Sequence, residues 1–541
     1  MRLLFALPQP QHEIKFTLYL EKLMNLALRR IILLVLCFGL FSSSGFAASS
    51  PLPSNAQGIT FNFYTTELSN LCYQLDAMAG LEMGSGEVFR ELWKNKIGWS
   101  AEDEKLLTQW RECRQPYFES VKLGRLPQEP LYQPNPPVQP YVDLSKKIRI
   151  ASLIATHPDD YQSALAVTVL PADAYRLAAI LETFQLRFHP WWETEGKRIT
   201  EPFVQQFTDL MAQKNLTEFS NQVARFYESQ IAPGYAINIF LMARPKSKNQ
   251  HTSGEVFDNF STVEILEGEK PEQRIDVVLH EVFHHFFSLS PVEKRIALVN
   301  AFATHPDPDS LAVYHILDEV LATALGNGLV FQKVSTSQYF EKFVAIDQSF
   351  YNDPFIDKTA KAIMPAIRKR VESGQSLFDG FVDEYISTAR QVLGNTMSDP
   401  QLRLFVRTSV FADDGLRPLA QELARGIRAG YSSTYVGNGL SPDALTAFET
   451  YSGLSGLVVL KSSQVKELES WEKILGKSAI KQALQAAKKH RAFVLAVKRN
   501  PKSTLFLVVG TEAQSIGTAL KSFIQNHIAF EGVKFEIPHT K

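Results

Sequence analysis

Apolar and polar positions alternate along most of this chain with the 3.6-residue period of amphipathic helices. From about Gly58 to Leu126 the pattern reads as mostly helical, with clear examples at Glu87–Trp93 and Ala101–Tyr117. Pro127–Pro140 then carries six prolines, a density that blocks helix and sheet and predicts an extended linker. Long amphipathic helices are predicted next, over Ala172–Arg187, Glu201–Gln213 and Leu216–Glu228. Two segments switch to strand character: Tyr235–Ala243, rich in β-branched and aromatic residues, and the alternating Ser261–Leu266. A helix is expected to open at Pro271 and run past Phe287 until Pro291 closes the way. Further helices are expected at about 291–302, 309–325, 337–350, 355–372 and 378–394. The last ninety residues change character again. Gly456–Leu460, Ala492–Val497 and Thr504–Val509 read as short buried strands, with helices Gln464–Leu475, Ala479–His490 and Glu512–Asn526 around them and a hairpin turn at Asn500-Pro501.

This order predicts an α+β, predominantly helical protein with a C-terminal α/β module. The expected divisions are a targeting segment (1–47), an N-terminal helical region ending in the Pro-rich linker (48–140), a central domain (141–445) and the terminal module (446–541). No repeat of 20–50 residues interrupts this organisation.

The first 47 residues have their own logic. Arg29 and Arg30 precede the apolar run Ile31–Phe41, and small residues follow, with Gly45 and Ala47 at the −3 and −1 positions. That is a secretory signal peptide with cleavage after Ala47, and the run is too short to cross about 30 Å of hydrocarbon. Met24 would give a signal of ordinary length and is the alternative start. The mature chain is expected to be exported, to the periplasm or beyond, with no stable membrane span. Export also changes the reading of the cysteines: of three, Cys72 and Cys113 remain after cleavage, and pairing is expected in an oxidising compartment.

Composition sets limits on function. Lys and Arg total 56 against 57 Asp and Glu, so no global basic field recruits nucleic acid. The densest basic run, Lys488–Arg491, sits at a predicted helix end, where cations suit the dipole. There is no Gly-x-Ser-x-Gly elbow and no phosphate-binding loop of the Gly-x-x-x-x-Gly-Lys type.

One motif does carry chemistry. His280-Glu281-Val282-Phe283-His284 is an HExxH sequence. On a helix, residues four apart point the same way, so two imidazoles can converge on one Zn²⁺, while Glu281 reaches a water activated by the metal. Ile275, Leu279, Val282 and Phe286 form an apolar back roughly opposite the histidines, which argues that the motif is helical. His285 faces away from the motif side, as a capped or solvated residue, and Phe283 and Phe287 border it as core aromatics. The same histidines could also be plain surface residues of an amphipathic helix, so the third ligand matters. Glu319 is the candidate: its neighbours on one side of the predicted helix are Ala312, His315, Ala322, Thr323 and Gly326, small enough to let two helices approach closely. Gly326-Asn327-Gly328 is expected to end that helix. Asp318 and His315 are the alternatives for the third position.

HEVFH followed by this Glu-x-x-Ala helix resembles the gluzincin class of zinc metallopeptidases. The resemblance implies a zincin-like core over about residues 230–330 and one zinc per chain, held by His280, His284 and Glu319. It also implies Glu281 as general base and a downstream Tyr or His facing the oxyanion. Tyr351 is the candidate there, with His315 and Tyr339 as rivals. The metzincin pattern fits less well, because Phe287 and Ser290 stand where it wants Gly and His. The expected activity is hydrolysis of peptide or protein substrates, held by strand addition along Tyr235–Ala243 or Ser261–Leu266. Two other readings stay open. One is a catalytically silent, zinc-stabilised binding protein of the cell envelope; the other makes the terminal module an interaction domain for an envelope partner.

Overall fold

The strand-forming sequences assemble into two mixed sheets. The first has the order β1 (Thr60–Tyr64), β2 (Ala236–Arg244), β4 (Phe260–Leu266), β3 (Gly254–Phe257). β1 and β2, and β2 and β4, run parallel; β3 lies antiparallel to β4. The computed structural model describes residues 58–541 except 82–84, 124–143, 248–251, 315, 346–347, 399–407, 501–502, 527–529, 540–541 and much of 413–454. The expected signal segment with Met24, the Pro-rich linker, His315 and the boundary at 446 therefore lie outside the described residues.

Two strands of this sheet escape the sequence pattern. β1 falls in a stretch read as helical. Its register is supplied by β2, with Thr60 opposite Ala236 and Tyr64 opposite Phe240, a partner too remote in sequence for any local period to reveal. β3 is four residues long, and it exists because Asp258-Asn259 turns the chain back so that Phe257 meets Phe260. Asp258 takes the left-handed conformation that this reversal needs (φ 54°), which Asp tolerates better than most residues. The consequence is positional. β1 and β3 form the two edges of the sheet, and both expected strands lie inside it.

Helices pack around this sheet and share one continuous core with it, reaching from Ile59 to Met397. Most were legible: Pro171–Trp191, Lys197–Gln213, Leu216–Phe226, Val292–Thr304, Pro354–Ser373 and Phe381–Leu393 fall within a few residues of expectation. The motif helix begins at Ile275, because Pro271–Gln273 forms a single 3₁₀ turn ahead of it.

The second sheet has the order β10-β8-β9-β7-β5-β6 (β5 Thr408–Ala412, β6 Val436–Gly437, β7 Ser455–Lys461, β8 His490–Asn500, β9 Ser503–Gly510, β10 Gly532–Pro538). It draws two strands from before residue 446. Along β7, Val458 and Leu460 enter one core with Trp471, and Leu457 and Val459 enter another with Leu520 and Phe523. This two-sided burial explains why its strands read as unbroken apolar runs. The molecule is thus α+β and mostly helical, and among the described residues no helix is long and apolar enough to cross a membrane.

The expected disulfide is absent: Cys72 and Cys113 are both free and buried. Burial pushes the Cys72 thiol up to about 12, and Arg114, Asp76 and Ser152 surround it. Cys113 instead faces Arg176, whose Nη1 lies 3.6 Å from its sulfur.

Candidate metal centre

The HExxH segment lies in the middle of the helix Ile275–Ser288. Ile275, Leu279, Val282 and Phe286 are fully buried, as their spacing predicts, and they fasten the helix to the main core. The opposite side presents His280 and His284, whose Nε2 atoms lie 3.0 Å apart. A second helix, Leu317–Ala322, brings Glu319 over the pair, with Oε2 3.5 Å from each Nε2.

Close approach makes this possible. A Cβ on Gly326 would sit 2.8 Å from Cα and Cβ of His280 and 2.9 Å from the Asp276 carbonyl oxygen. Only glycine allows the second helix to lie directly on the motif. Gly326-Asn327-Gly328 does not end that helix, contrary to expectation. The chain continues as a π-helical stretch, Thr323–Val330, and then as Phe331–Val334. Burial replaces termination here: Gly328 seats against the sulfur of Met364, and Asn327 donates to Asp276 at 3.2 Å. π-helical segments of this kind are rare and concentrate at functional sites.

His284 is oriented from behind. Its Nδ1 lies 2.9 Å from Oδ1 of Asp318, an ion-pair contact on the side of the ring away from His280. Asp318 is thus the partner of a histidine and not the third member of the cluster. The pairing passed unnoticed in the sequence, although the adjacent acids Asp318-Glu319 were its one visible trace. His315, the other alternative, lies outside the described residues.

Three possible ligand atoms now converge. The Nε2 atoms of His280 and His284 lie within hydrogen-bond distance of each other, and Oε2 of Glu319 is buried with no hydrogen-bond partner among the described residues. At 3.5 Å the carboxylate is too far from either ring for an ordinary hydrogen bond. The separations of 3.0, 3.5 and 3.5 Å bracket the edge of about 3.3 Å that a tetrahedral ion implies when its ligands stand about 2.0–2.1 Å away. The residues fit a zinc ion.

Electrostatics follow from burial and charge. Burial opposes a charged Glu319, but the imidazoles beside it win and hold its carboxyl far below the usual range. Burial would likewise lower the pKa of His284, yet Asp318 and Glu319 raise it well above its ordinary value. Glu281 is displaced upward, chiefly by burial, against the lowering influence of His280 and His284. Its carboxylate lies under the edge strand, where a Cβ on Gly254 would come within 2.8 Å of Oε1. Gly254 is a site residue that sequence reasoning missed, and only the chain reversal at Asp258 places it there.

The other candidates divide. Tyr351 is brought in: its ring stacks on the His280 imidazole with centroids 6.0 Å apart and planes 16° from parallel. Tyr339 is 46% exposed and packs against Phe331. Phe283 and Phe287 contact Phe219 and Tyr227, as core aromatics. His285 does point away from the motif, yet it is buried rather than solvated. Its Nε2 pairs with the Tyr235 hydroxyl at 2.8 Å, and burial lowers its pKa to about 4.

Comparison of the chain with family models, curated proteins and solved structures finds no match.

Proposed function

We propose that the chain is an exported, zinc-dependent peptidase of the gluzincin type, built on a zincin-like core, which hydrolyses peptide bonds in peptide or protein substrates. The observation that carries this reading is the convergence of His280 Nε2, His284 Nε2 and Glu319 Oε2 on one point, with the Asp318 carboxylate beside His284 Nδ1. A purely structural zinc site prefers a fourth protein ligand; three ligands with an acid alongside suit catalysis. Zinc in such a centre supplies Lewis acidity that makes water a nucleophile near neutral pH.

The protein's own groups do the rest. Glu281, desolvated beneath β3, takes the proton of the attacking water and delivers it to the leaving amine nitrogen. Its raised pKa suits both halves of that transfer. A substrate in extended conformation adds to the free edge of β3, which runs directly over Glu281 and offers unpaired backbone groups. Tyr351, stacked on His280, is the candidate donor to the oxygen that becomes negative in the transition state.

Protein passed through gel filtration in metal-free buffer is expected to keep about one zinc per chain. It should cleave casein or a peptide library in a chelator-sensitive way. Glu281→Gln should keep the metal and lose the cleavage. Wild-type protein that holds zinc but cleaves nothing in such a library would replace this reading with that of a zinc-stabilised binding protein.

A further inference from the structure

Away from the HExxH centre, a second set of metal-ligating side chains comes together on the N-terminal helices. Glu67 opens the helix Glu67–Ala79, His189 lies near the end of Pro171–Trp191, and Glu193 follows one turn later. One ligand atom from each falls within 4.8 Å of the other two, and His189 Nδ1 is 3.0 Å from Oε2 of Glu67.

The framework holding these groups is rigid. Glu193 lies on a short π-helical stretch, Trp192–Gly196, inserted between two α-helices. The stretch depends on Gly196, because a Cβ there would come within 2.4 Å of the Trp192 ring. Thr65, two residues before Glu67, donates to Thr200 Oγ1 at 2.8 Å and so ties the start of one helix to the flank of the other. Glu67 pairs with His189 through Oε2, while its Oε1 is buried with no hydrogen-bond partner among the described residues, and the side chain as a whole is 18% exposed. A desolvated carboxylate oxygen without a donor is costly, and a cation relieves that cost.

We propose that Glu67, His189 and Glu193 form a second, surface metal site for a borderline divalent ion such as Zn²⁺, which staples the helix Glu67–Ala79 to the Pro171–Gln213 helical arm. One imidazole with two carboxylates is a donor set for that class of ion. The site is weaker than the HExxH centre: His189 is 56% exposed, and Lys197 Nζ already pairs with Glu193 Oε1 at 2.5 Å and must yield to the metal.

The test is equilibrium dialysis of the full chain against micromolar Zn²⁺ at pH 8, followed by metal analysis. Wild type should bind two ions, His189→Ala one, and His280→Ala/His284→Ala one. Combining all three substitutions should leave none. In the His280→Ala/His284→Ala background, added Zn²⁺ should raise the melting midpoint, and Glu67→Gln should abolish that rise. If His189→Ala binds as much zinc as wild type, or if the midpoint rise survives Glu67→Gln, the cluster is an ion-pair network and the proposal falls. The HExxH reading stands or falls separately, on the ion lost with His280 and His284.

Discussion

At the scale of single residues, the site is made by what lies behind the ligands. Asp318 pairs with His284, burial gives Glu281 a raised pKa, and the Tyr351 ring stacks on His280. Removing only the hydroxyl isolates the last of these. Tyr351→Phe keeps the stacked ring, so zinc content and KM are expected to hold while kcat falls about 10²-fold or more, as on loss of one oxyanion donor. Unchanged kcat would return Tyr351 to a packing role. His285 supports a second prediction, about stability. Its folded pKa of about 4 lies below the ordinary value of 6.5 given for histidine, so the unfolded chain binds a proton that the folded chain refuses. The stabilising contribution is fully present above pH 6.5 and is lost as pH falls toward 4, on the order of 3 kcal/mol in all. His285→Phe preserves the ring packed on Tyr235 and should flatten that part of the melting-midpoint profile. A profile as steep as wild type would assign the acid sensitivity to other groups.

Among the elements, two glycines decide how closely backbone approaches the motif, and their substitutions should fail in different ways. Gly326→Ala sets a methyl group against the backbone of the motif helix at 2.8–2.9 Å, where nothing can rotate aside. A loss of about 1–3 kcal/mol in stability is expected, together with weaker zinc retention. Gly254→Ala meets first the side chain of Glu281, at 2.8 Å from Cγ and Oε1, and is expected to displace that carboxylate without breaking the fold. That variant should melt normally and keep its zinc while turnover drops. Loss of zinc from Gly254→Ala would mean that β3 bears on the ligands as well. Both glycines owe their importance to neighbours on other elements, so neither stands out in the sequence as a turn or cap. Gly326 was visible only as one small residue beside Glu319.

For the molecule as a whole, separate hydrophobic cores divide the chain. The main core joins the first sheet to the helices, and two smaller ones line the faces of the second sheet. The candidate metal centre belongs wholly to the first. The thiols of that core offer a simple check on the fold. Because Cys72 and Cys113 are free and buried, a thiol reagent should find both after unfolding without reductant, and neither rapidly in the native state. Two unreactive thiols after unfolding would restore the disulfide expected from the sequence.

Much of this architecture was legible beforehand, for reasons that differ between elements. Amphipathic helices such as Lys197–Gln213 and Pro354–Ser373 carry their own period, because each must bury one face. The strands β7 and β9 declare themselves through continuous apolar runs buried on both sides. The motif histidines and Glu281 could be named because helical geometry relates them over a single turn. Distance along the chain hid the rest. β1 became a strand only through β2, β3 became the sheet edge only through the reversal at Asp258, and Gly-Asn-Gly stayed helical only because Met364 and Asp276 cover it. Local residue order determined which groups can bind a metal. Tertiary contact decided which carboxylate faces the imidazoles, which one stands behind them, and which strand runs over Glu281, because those relations join segments that no local period connects.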